Sequence, residues 1–280
     1  MQRKTPVIVY GFGDFTIRLL SPRLQTRLDL YSCNFPGLDP ASQVDPNGIT
    51  ATDLLDAIDE VADAHSLDQF VLLGFSISGT VALDYTVLRP ERVAAVALIC
   101  SPPVWTRELR RLQQDHQEAS LPNSKKQKLD ELQRDFRGRL QNVSSDRVFA
   151  EQCLAQSPLY WHRDPENEQA VFDSLRVNMD LIMAFESPMY MGHDISDRFG
   201  QIPIPVLQVF GRHDYATPPA CWSLARTLPP YAHRVLFEES GHYPMIEERE
   251  HFDDELLKWL QTDVDYIRSA RTNSSRGPSS

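Results

Sequence analysis

The sequence predicts an α/β fold in which a mostly parallel sheet is wound by helices. Short apolar runs without charge alternate with segments of helical periodicity, first up to residue 103 and again from residue 202. Parallel strands need crossover connections, and helices commonly supply them. Such crossovers are right-handed, so functional groups collect at the carboxyl ends of the strands. Residues 104–201 show no convincing strand and predict a helical insertion between two strands of the sheet.

The individual elements follow from local patterns. Strands are predicted from apolar, often β-branched runs bounded by glycine, proline or polar residues. They span residues 6–10, 28–33, 70–73, 92–100, 202–211 and 234–237. Helices are predicted from helical spacing of apolar residues, and the first begins at a good N-cap segment, Thr50–Asp53. They span residues 50–65, 80–88, 125–140, 146–155, 168–184, 220–228 and 251–267.

One strand ends in a very tight turn, Gly74-Phe75-Ser76-Ile77-Ser78-Gly79, and a helix follows directly. The strand and the helix pass close to such a turn, so a serine held there needs neighbours with little side-chain bulk. Gly74, Ser78 and Gly79 meet that need around Ser76. The segment resembles the nucleophile elbow of the α/β-hydrolase family, Gly-x-Ser-x-Gly, with Ser78 at the last small position.

A serine hydroxyl is a poor nucleophile unless a base accepts its proton and a third group orients that base. The resemblance implies that these groups follow in the order serine, acid, histidine. Ser76 is followed by Asp214, after the penultimate strand, and by His242, after the last strand. Their surroundings, residues 211–218 and 240–248, resemble the acid and histidine loops of the family. We therefore predict a catalytic triad of Ser76, His242 and Asp214 at one edge of the sheet.

The resemblance also implies two backbone N–H groups that bind an oxyanion. One is the N–H of Ile77, the residue after the predicted nucleophile. The other is the N–H of Phe12, in the glycine-flanked loop after the first strand. This chain has Tyr10 where the family usually has a histidine before that loop.

The resemblance implies a division of the chain into a core and a cap over the catalytic pocket. We expect an α/β-hydrolase core of residues 1–103 and 202–268 and a helical cap of residues 104–201. Residues 269–280 are polar, with Ser, Gly and Pro, and predict a disordered tail. The family usually has two antiparallel strands before the first strand found here. This chain starts almost at that strand, so the first two strands are missing from it: either the protein naturally lacks them or the sequence is incomplete. Without them the sheet has an exposed edge.

The substrate is the least determined part of the interpretation. Within the family, the chain resembles proline iminopeptidases, which use cap carboxylates to hold a free amine, and this resemblance implies such a role for Glu186. Trp105 is a second candidate for substrate contact. The substrate is then a small molecule or a short peptide cleaved at an ester or amide bond. The alternatives are a carboxylesterase or C–C bond hydrolase acting on apolar small molecules, and a non-catalytic ligand-binding protein.

Composition excludes several classes of function. The chain has 280 residues, is 41% hydrophobic, and has neither a membrane-spanning stretch nor the apolar centre of a signal peptide. Its four cysteines are widely spaced, and no histidine or cysteine pair has metal-ligand spacing. We therefore expect a cytoplasmic protein with no metal and no cofactor. A formal net charge of −11 argues against nucleic acid and membrane as partners. Nothing in the sequence indicates an oligomeric state.

Overall fold

Six parallel strands form one sheet in the computed structural model, which describes residues 4–185 and 191–264. The strands are β1 (Thr5–Gly11), β2 (Leu28–Asn34), β3 (Phe70–Phe75), β4 (Val93–Ile99), β5 (Val206–Gly211) and β6 (Ala232–Phe237). Their order across the sheet is β2-β1-β3-β4-β5-β6, and each neighbouring pair is parallel. Every residue of β3, β4 and β5 is buried, as expected for central strands without charge. The predicted fold class is confirmed.

Helices cover the sheet and fill the space between β4 and β5. Four precede β4: α1 (Gly13–Leu19), α2 (Pro22–Arg27), α3 (Ala51–Ala64) and α4 (Ile77–Leu88). Six lie in the described part of the insertion, residues 104–185 and 191–201: α5 (Arg107–Ser120), α6 (Asn123–Arg139), α7 (Val148–Ala155), α8 (Ser157–Tyr160), α9 (Glu168–Phe172) and α10 (Met179–Phe185). Between β6 and residue 264, where the described residues end, are α11 (Pro244–Glu247) and α12 (Arg249–Trp259). The helices that the sequence did not predict are α1, α2, α5, α8 and α11.

The start of α3 shows how local sequence fixes an element. Thr50 is the N-cap, its Oγ1 accepts the N–H of Asp53, and the Asp53 carboxylate accepts the N–H of Thr50. This reciprocal capping box binds two N–H groups that the helix leaves unpaired. Leu54 and Ile58 then face the sheet and are fully buried. The Tyr10 hydroxyl, in β1, donates to the Leu54 carbonyl at 2.6 Å and joins helix to strand.

The helix predicted over residues 168–184 is wrong, because it is two short helices, α9 and α10. The Arg147 guanidinium donates to the carbonyl groups of Phe172, Asp173 and Leu175 at 2.6, 2.9 and 3.3 Å. These bonds satisfy carbonyl groups that the end of α9 leaves without an α-helical partner. Leu175 is buried in the resulting break. The sequence periodicity continued through the break and concealed it.

The helix predicted over residues 220–228 is also wrong, since only a short 3₁₀ turn, Pro219–Leu224, forms there. The N–H of Arg226 donates to Ser196 Oγ at 3.0 Å, and the N–H of Thr227 donates to the Ser196 carbonyl at 3.1 Å. Ser196 thus takes the donors that a longer helix would need. The predicted ends of the last helix and of the tail, residues 265–267 and 269–280, lie outside the described residues.

Within the described ranges, no helix combines the length and the apolarity that a bilayer crossing requires.

The capping box generates a prediction about stability. We expect Thr50→Ala to lower the free energy of unfolding by about 1 kcal/mol, because it leaves a helix-terminal N–H without its acceptor. Thr52→Ala is the matched control, since Thr52 is exposed on the same helix and makes no capping bond. Urea unfolding of both variants measures the difference. Equal stability of the two variants would show that the capping box contributes nothing.

Candidate active site

Ser76 lies between β3 and α4 in a backbone conformation that side chains rarely adopt. Its φ is +55° and its ψ is −132°. Such a conformation costs on the order of 1–3 kcal/mol and persists only where the surroundings enforce it. Here the strand and helix pass so closely that a Cβ on Gly74 would lie 2.5 Å from the Gly79 Cα. The turn therefore needs glycine at both positions.

Ser78, which replaces the usual glycine of the motif, completes the turn with its hydroxyl. Its Oγ accepts the N–H of Phe75 at 2.9 Å and donates to the Phe75 carbonyl at 2.7 Å. Its Cβ also occupies the space beside Gly11, at the end of β1, where an added Cβ would overlap it. Gly11 has a φ of +95°, which glycine adopts without strain. The loop after β1 and the turn at Ser76 therefore fit together through Ser78 and Gly11.

Asp214 and His242 meet at the carboxyl ends of β5 and β6. The Asp214 Oδ2 lies 2.8 Å from the His242 Nδ1, and both side chains are buried. The other oxygen, Oδ1, accepts the N–H groups of Ala216 and Thr217 at 2.9 and 2.8 Å. These bonds fix the carboxylate, which in turn fixes the plane of the imidazole.

Thr217 joins this pair, although the sequence analysis did not single it out. Its Oγ1 lies 2.8 Å from the Asp214 Oδ2 and 3.1 Å from the His242 Nδ1, and it donates to the Cys100 carbonyl at 2.7 Å. The turn itself is typical of an aspartate that accepts backbone N–H groups two and three residues later, but nothing in the sequence singled out the Thr217 side chain. Thr217 thus helps to hold Asp214 and His242 in place.

The charge state of Asp214 follows from its contacts. Burial by itself would raise the pKa of this carboxyl, but the His242 charge and the hydrogen bonds from His242 and Thr217 outweigh burial and lower the pKa. Asp214 is therefore a carboxylate at neutral pH. A buried carboxylate beside Nδ1 holds the imidazole with its Nε2 directed away from the acid.

Cys100 brings a third potential metal ligand to this place. Its Sγ and the ligand atoms of Asp214 and His242 lie within 4.8 Å of one another. Burial raises the pKa of the Cys100 thiol well above its ordinary value, and the nearby Asp214 charge raises it further. A protonated thiol is a poor metal ligand. One of the three ligand atoms, His242 Nδ1, is already hydrogen-bonded to the Asp214 carboxylate at 2.8 Å.

Five of the predicted site residues border one cavity of about 500 Å³: Ser76, Ile77, Phe12, His242 and Trp105. The ring of Phe75, the residue before Ser76, has its centroid 4.8 Å from that of His242, so the turn and the imidazole are neighbours. Ile77 is the first residue of α4, and its N–H belongs to those that a helix leaves unpaired.

The two candidates for substrate contact have different outcomes. Trp105 also borders the cavity, its Nε1 donates to the Phe185 carbonyl at 3.1 Å, and the Arg110 guanidinium stacks on its ring at 4.0 Å. Glu186 lies outside the described residues.

The cavity lining combines apolar side chains with glutamine amides. Aromatic and aliphatic residues form most of its surface, namely Phe12, Phe15, Phe75, Phe149, Phe172, Leu175, Ile182, Phe185 and Tyr243. Glutamines from the insertion form much of the rest, namely Gln113, Gln114, Gln117, Gln133, Gln152 and Gln156. Such a surface favours apolar ligands with neutral hydrogen-bonding groups.

A sequence profile of the alpha/beta hydrolase fold matches residues 7–249. The chain belongs to the α/β-hydrolase family. The chain is similar to the AB hydrolase superfamily protein YclE of Bacillus subtilis, with 26% identity over 261 residues that cover 91% of each chain. It is 23% identical over 257 residues to a pimeloyl-(acyl-carrier protein) methyl ester esterase of Vibrio vulnificus, covering 90% of this chain and 92% of that protein.

A solved α/β-hydrolase structure shows the same fold. The esterase EaEST from Exiguobacterium antarcticum superposes with a TM-score of 0.65 at 19% identity and covers 94% of each chain. At this identity the likeness concerns the fold alone.

The turn of this α/β-hydrolase generates a second prediction. We expect Gly74→Ala to lower the free energy of unfolding by about 1–3 kcal/mol, because its methyl group would force the strand and helix apart. Gly48→Ala is the matched control, since a Cβ there meets no atom within 4 Å. Thermal unfolding of both variants provides the comparison, and a Gly74→Ala protein as stable as the control would refute the steric requirement.

Proposed function

We propose that this α/β-hydrolase is a serine esterase that cleaves carboxylic esters of small, mainly apolar molecules through an acyl-enzyme. In this proposal Ser76 is the nucleophile, His242 the general base and acid, and Asp214 the group that orients His242. The observation that carries it is the buried Asp214–His242 hydrogen bond of 2.8 Å at a cavity that Ser76 also borders.

The mechanism follows from these positions. His242 Nε2 accepts the Ser76 proton while Ser76 Oγ attacks the ester carbonyl carbon. The negative charge that develops on the carbonyl oxygen is stabilised by the N–H groups of Phe12 and Ile77, each worth about 3 kcal/mol. His242 returns the proton to the leaving alcohol. Water, deprotonated by the same imidazole, then releases the acid and restores Ser76.

An ester substrate is favoured by the cavity and by the relatives. The walls offer aromatic surface for an acyl chain and glutamine amides for neutral polar groups. Two of the relatives described above carry the name esterase. The cavity volume of about 500 Å³ is in the range of small-molecule sites.

The aminopeptidase alternative has less support. A free amine is held best by a carboxylate, and no aspartate or glutamate is among the described residues that border the cavity. The residue proposed for that role, Glu186, lies outside the described residues. A non-catalytic binding role would leave the Asp214–His242 pair and the strained Ser76 without a use.

The nucleophile assignment is tested by Ser76→Ala. We expect this variant to lose hydrolysis of p-nitrophenyl esters and covalent labelling by a fluorophosphonate, because the only proposed attacking oxygen is gone. Ser120→Ala, at an exposed serine on α5, is the control and keeps both properties. Labelling followed by mass spectrometry identifies the modified residue. Turnover retained in Ser76→Ala would remove Ser76 from the role.

The orienting role is tested by Asp214→Asn. We expect kcat to fall by about 10³- to 10⁴-fold, because an amide favours the wrong imidazole tautomer and cannot stabilise the imidazolium. Asp253→Asn is the control: it changes a buried carboxylate that hydrogen-bonds Ser21 instead, so kcat is unaffected. A loss of similar size in both variants would contradict the assignment.

The lowered pKa of Asp214 gives the same variant a signature in stability. A carboxyl whose pKa is lower in the folded state stabilises the fold above its ordinary pKa of about 4. That stabilisation is lost as the pH falls through the folded pKa. We therefore expect the difference in free energy of unfolding between the wild type and Asp214→Asn to shrink below about pH 4. Urea unfolding at several pH values measures it, and a constant difference would contradict the pKa shift.

Ester and amine specificity are separated by a substrate panel. We expect p-nitrophenyl esters of short acids to be cleaved well and aminoacyl-p-nitroanilides poorly, because the described lining offers no carboxylate to an amine. Faster cleavage of the anilides would favour the aminopeptidase alternative.

A further inference from the structure

The loop that carries His242 is bound directly to the insertion. The N–H of His242 donates to the Tyr160 carbonyl at 2.5 Å. Gly241 packs so closely against the same carbonyl that an added Cβ would overlap it. The Tyr160 ring lies 5.5 Å from the His242 ring, between centroids, and borders the cavity. One short segment of the insertion therefore contacts both the proposed base and the ligand space.

Glu247 reinforces this junction with a single carboxylate. Its Oε2 accepts the N–H of Gly241 at 2.7 Å, on the histidine loop. Its Oε1 accepts the N–H groups of His162 and Arg163 at 2.8 and 3.3 Å, on the insertion. Hydrogen bonds to an ionised acceptor are stronger than those between neutral groups. Glu247 thus joins Gly241 of the histidine loop to His162 and Arg163 of the insertion.

The ionised form of the Glu247 carboxyl depends on its hydrogen-bond donors, because the group is largely buried. Burial raises the pKa of Glu247, and the three N–H groups and the Lys125 charge act against that rise. Lys125 itself binds the Trp161 carbonyl, and burial lowers the pKa of its ammonium group. A partly desolvated carboxylate that lost its donors would be costly, so the three bonds keep the two segments together.

The neighbouring Glu248 makes contacts of a different kind. Its Oε2 accepts the N–H of Glu239 at 3.0 Å and the hydroxyl of Ser240 at 2.6 Å. Both partners belong to the histidine loop itself. Glu248 therefore shapes the loop, whereas Glu247 connects the loop to the insertion.

We propose that Glu247 is a positioning residue that couples the insertion segment Tyr160–Arg163 to His242. This coupling fixes the position of the general base relative to the part of the cavity lining that Tyr160 forms. The proposal rests on the proposed function, in which His242 deprotonates Ser76. A ligand that packs against Tyr160 would then stabilise the working position of the base as well. Correct placement of the base matters because a shift of about 1 Å can cost about 100-fold in rate.

The test compares Glu247→Gln with Glu248→Gln, using p-nitrophenyl esters. An amide offers one acceptor oxygen and a competing NH₂, so Glu247→Gln cannot accept all three N–H groups. We expect kcat of Glu247→Gln to fall about 10- to 100-fold, measured well below its unfolding temperature, with a smaller change in KM. Glu248→Gln is expected to lose stability with a much smaller fall in kcat. Equal falls in kcat, or an unchanged kcat in folded Glu247→Gln, would overturn the proposal.

Amide hydrogen exchange provides a measurement that does not depend on turnover. We expect the amides of His162 and Arg163 to exchange faster in Glu247→Gln than in the wild type, and to keep their protection in Glu248→Gln. Unchanged protection in Glu247→Gln would overturn the coupling. If Glu247→Gln does not fold, Glu247→Asp, which keeps the charge but shortens its reach, is measured by the same criteria. Activity that survives Ser76→Ala would reject the proposed function alone, because hydrogen exchange still tests the coupling.

Discussion

The close approach of β3 and α4 is the constraint on which the rest of the site depends. A strand that turns into a helix within one residue forces Ser76 to a φ of +55°, and only small neighbours permit it. The turn is then held from two sides, by the Ser78 hydroxyl on the Phe75 backbone and by the contact of Ser78 with Gly11. Ser76 thereby borders the cavity from a position that the core of the fold fixes. A flexible loop could not hold it with the same precision.

The two loops that carry Asp214 and His242 are fixed to each other by contacts that do not involve Ser76. The N–H of His213, next to Asp214, donates to the Ser240 carbonyl at 2.9 Å. A Cβ on Gly211 would overlap the Gly241 carbonyl, so these loops pack backbone to backbone. Parallel pairing of β5 and β6 brings the loops side by side, and the backbone contacts fix how closely they pack. The Asp214–His242 bond is therefore a consequence of strand pairing as much as of side-chain chemistry.

The sequence predicted the features whose causes are local or follow from chain order. All six strands were predicted, the central ones from runs without charge, and the serine, acid and histidine follow three of the six in the expected order. It could not predict features that depend on distant partners. The Arg147 guanidinium binds carbonyl groups at the end of α9. Ser196 binds the N–H of Arg226, 30 residues later in the chain, where the sequence predicted a helix. Thr217 meets His242 only in the folded chain. Such partners leave no periodic signal, because their acceptors and donors are backbone groups or side chains far along the chain.

Charge illustrates why the site must be analysed separately from the whole molecule. The chain has a formal net charge of −11, yet no aspartate or glutamate is among the described residues that line the cavity. The fixed charge among the described lining residues is that of Arg110, which stacks on Trp105 and donates to Gln113 at 3.2 Å. A cationic group placed there would meet a cation and amides without a carboxylate, and would lose its hydration without compensation. A neutral apolar ligand loses little hydration on entry and gains contact with the aromatic side chains of the cavity.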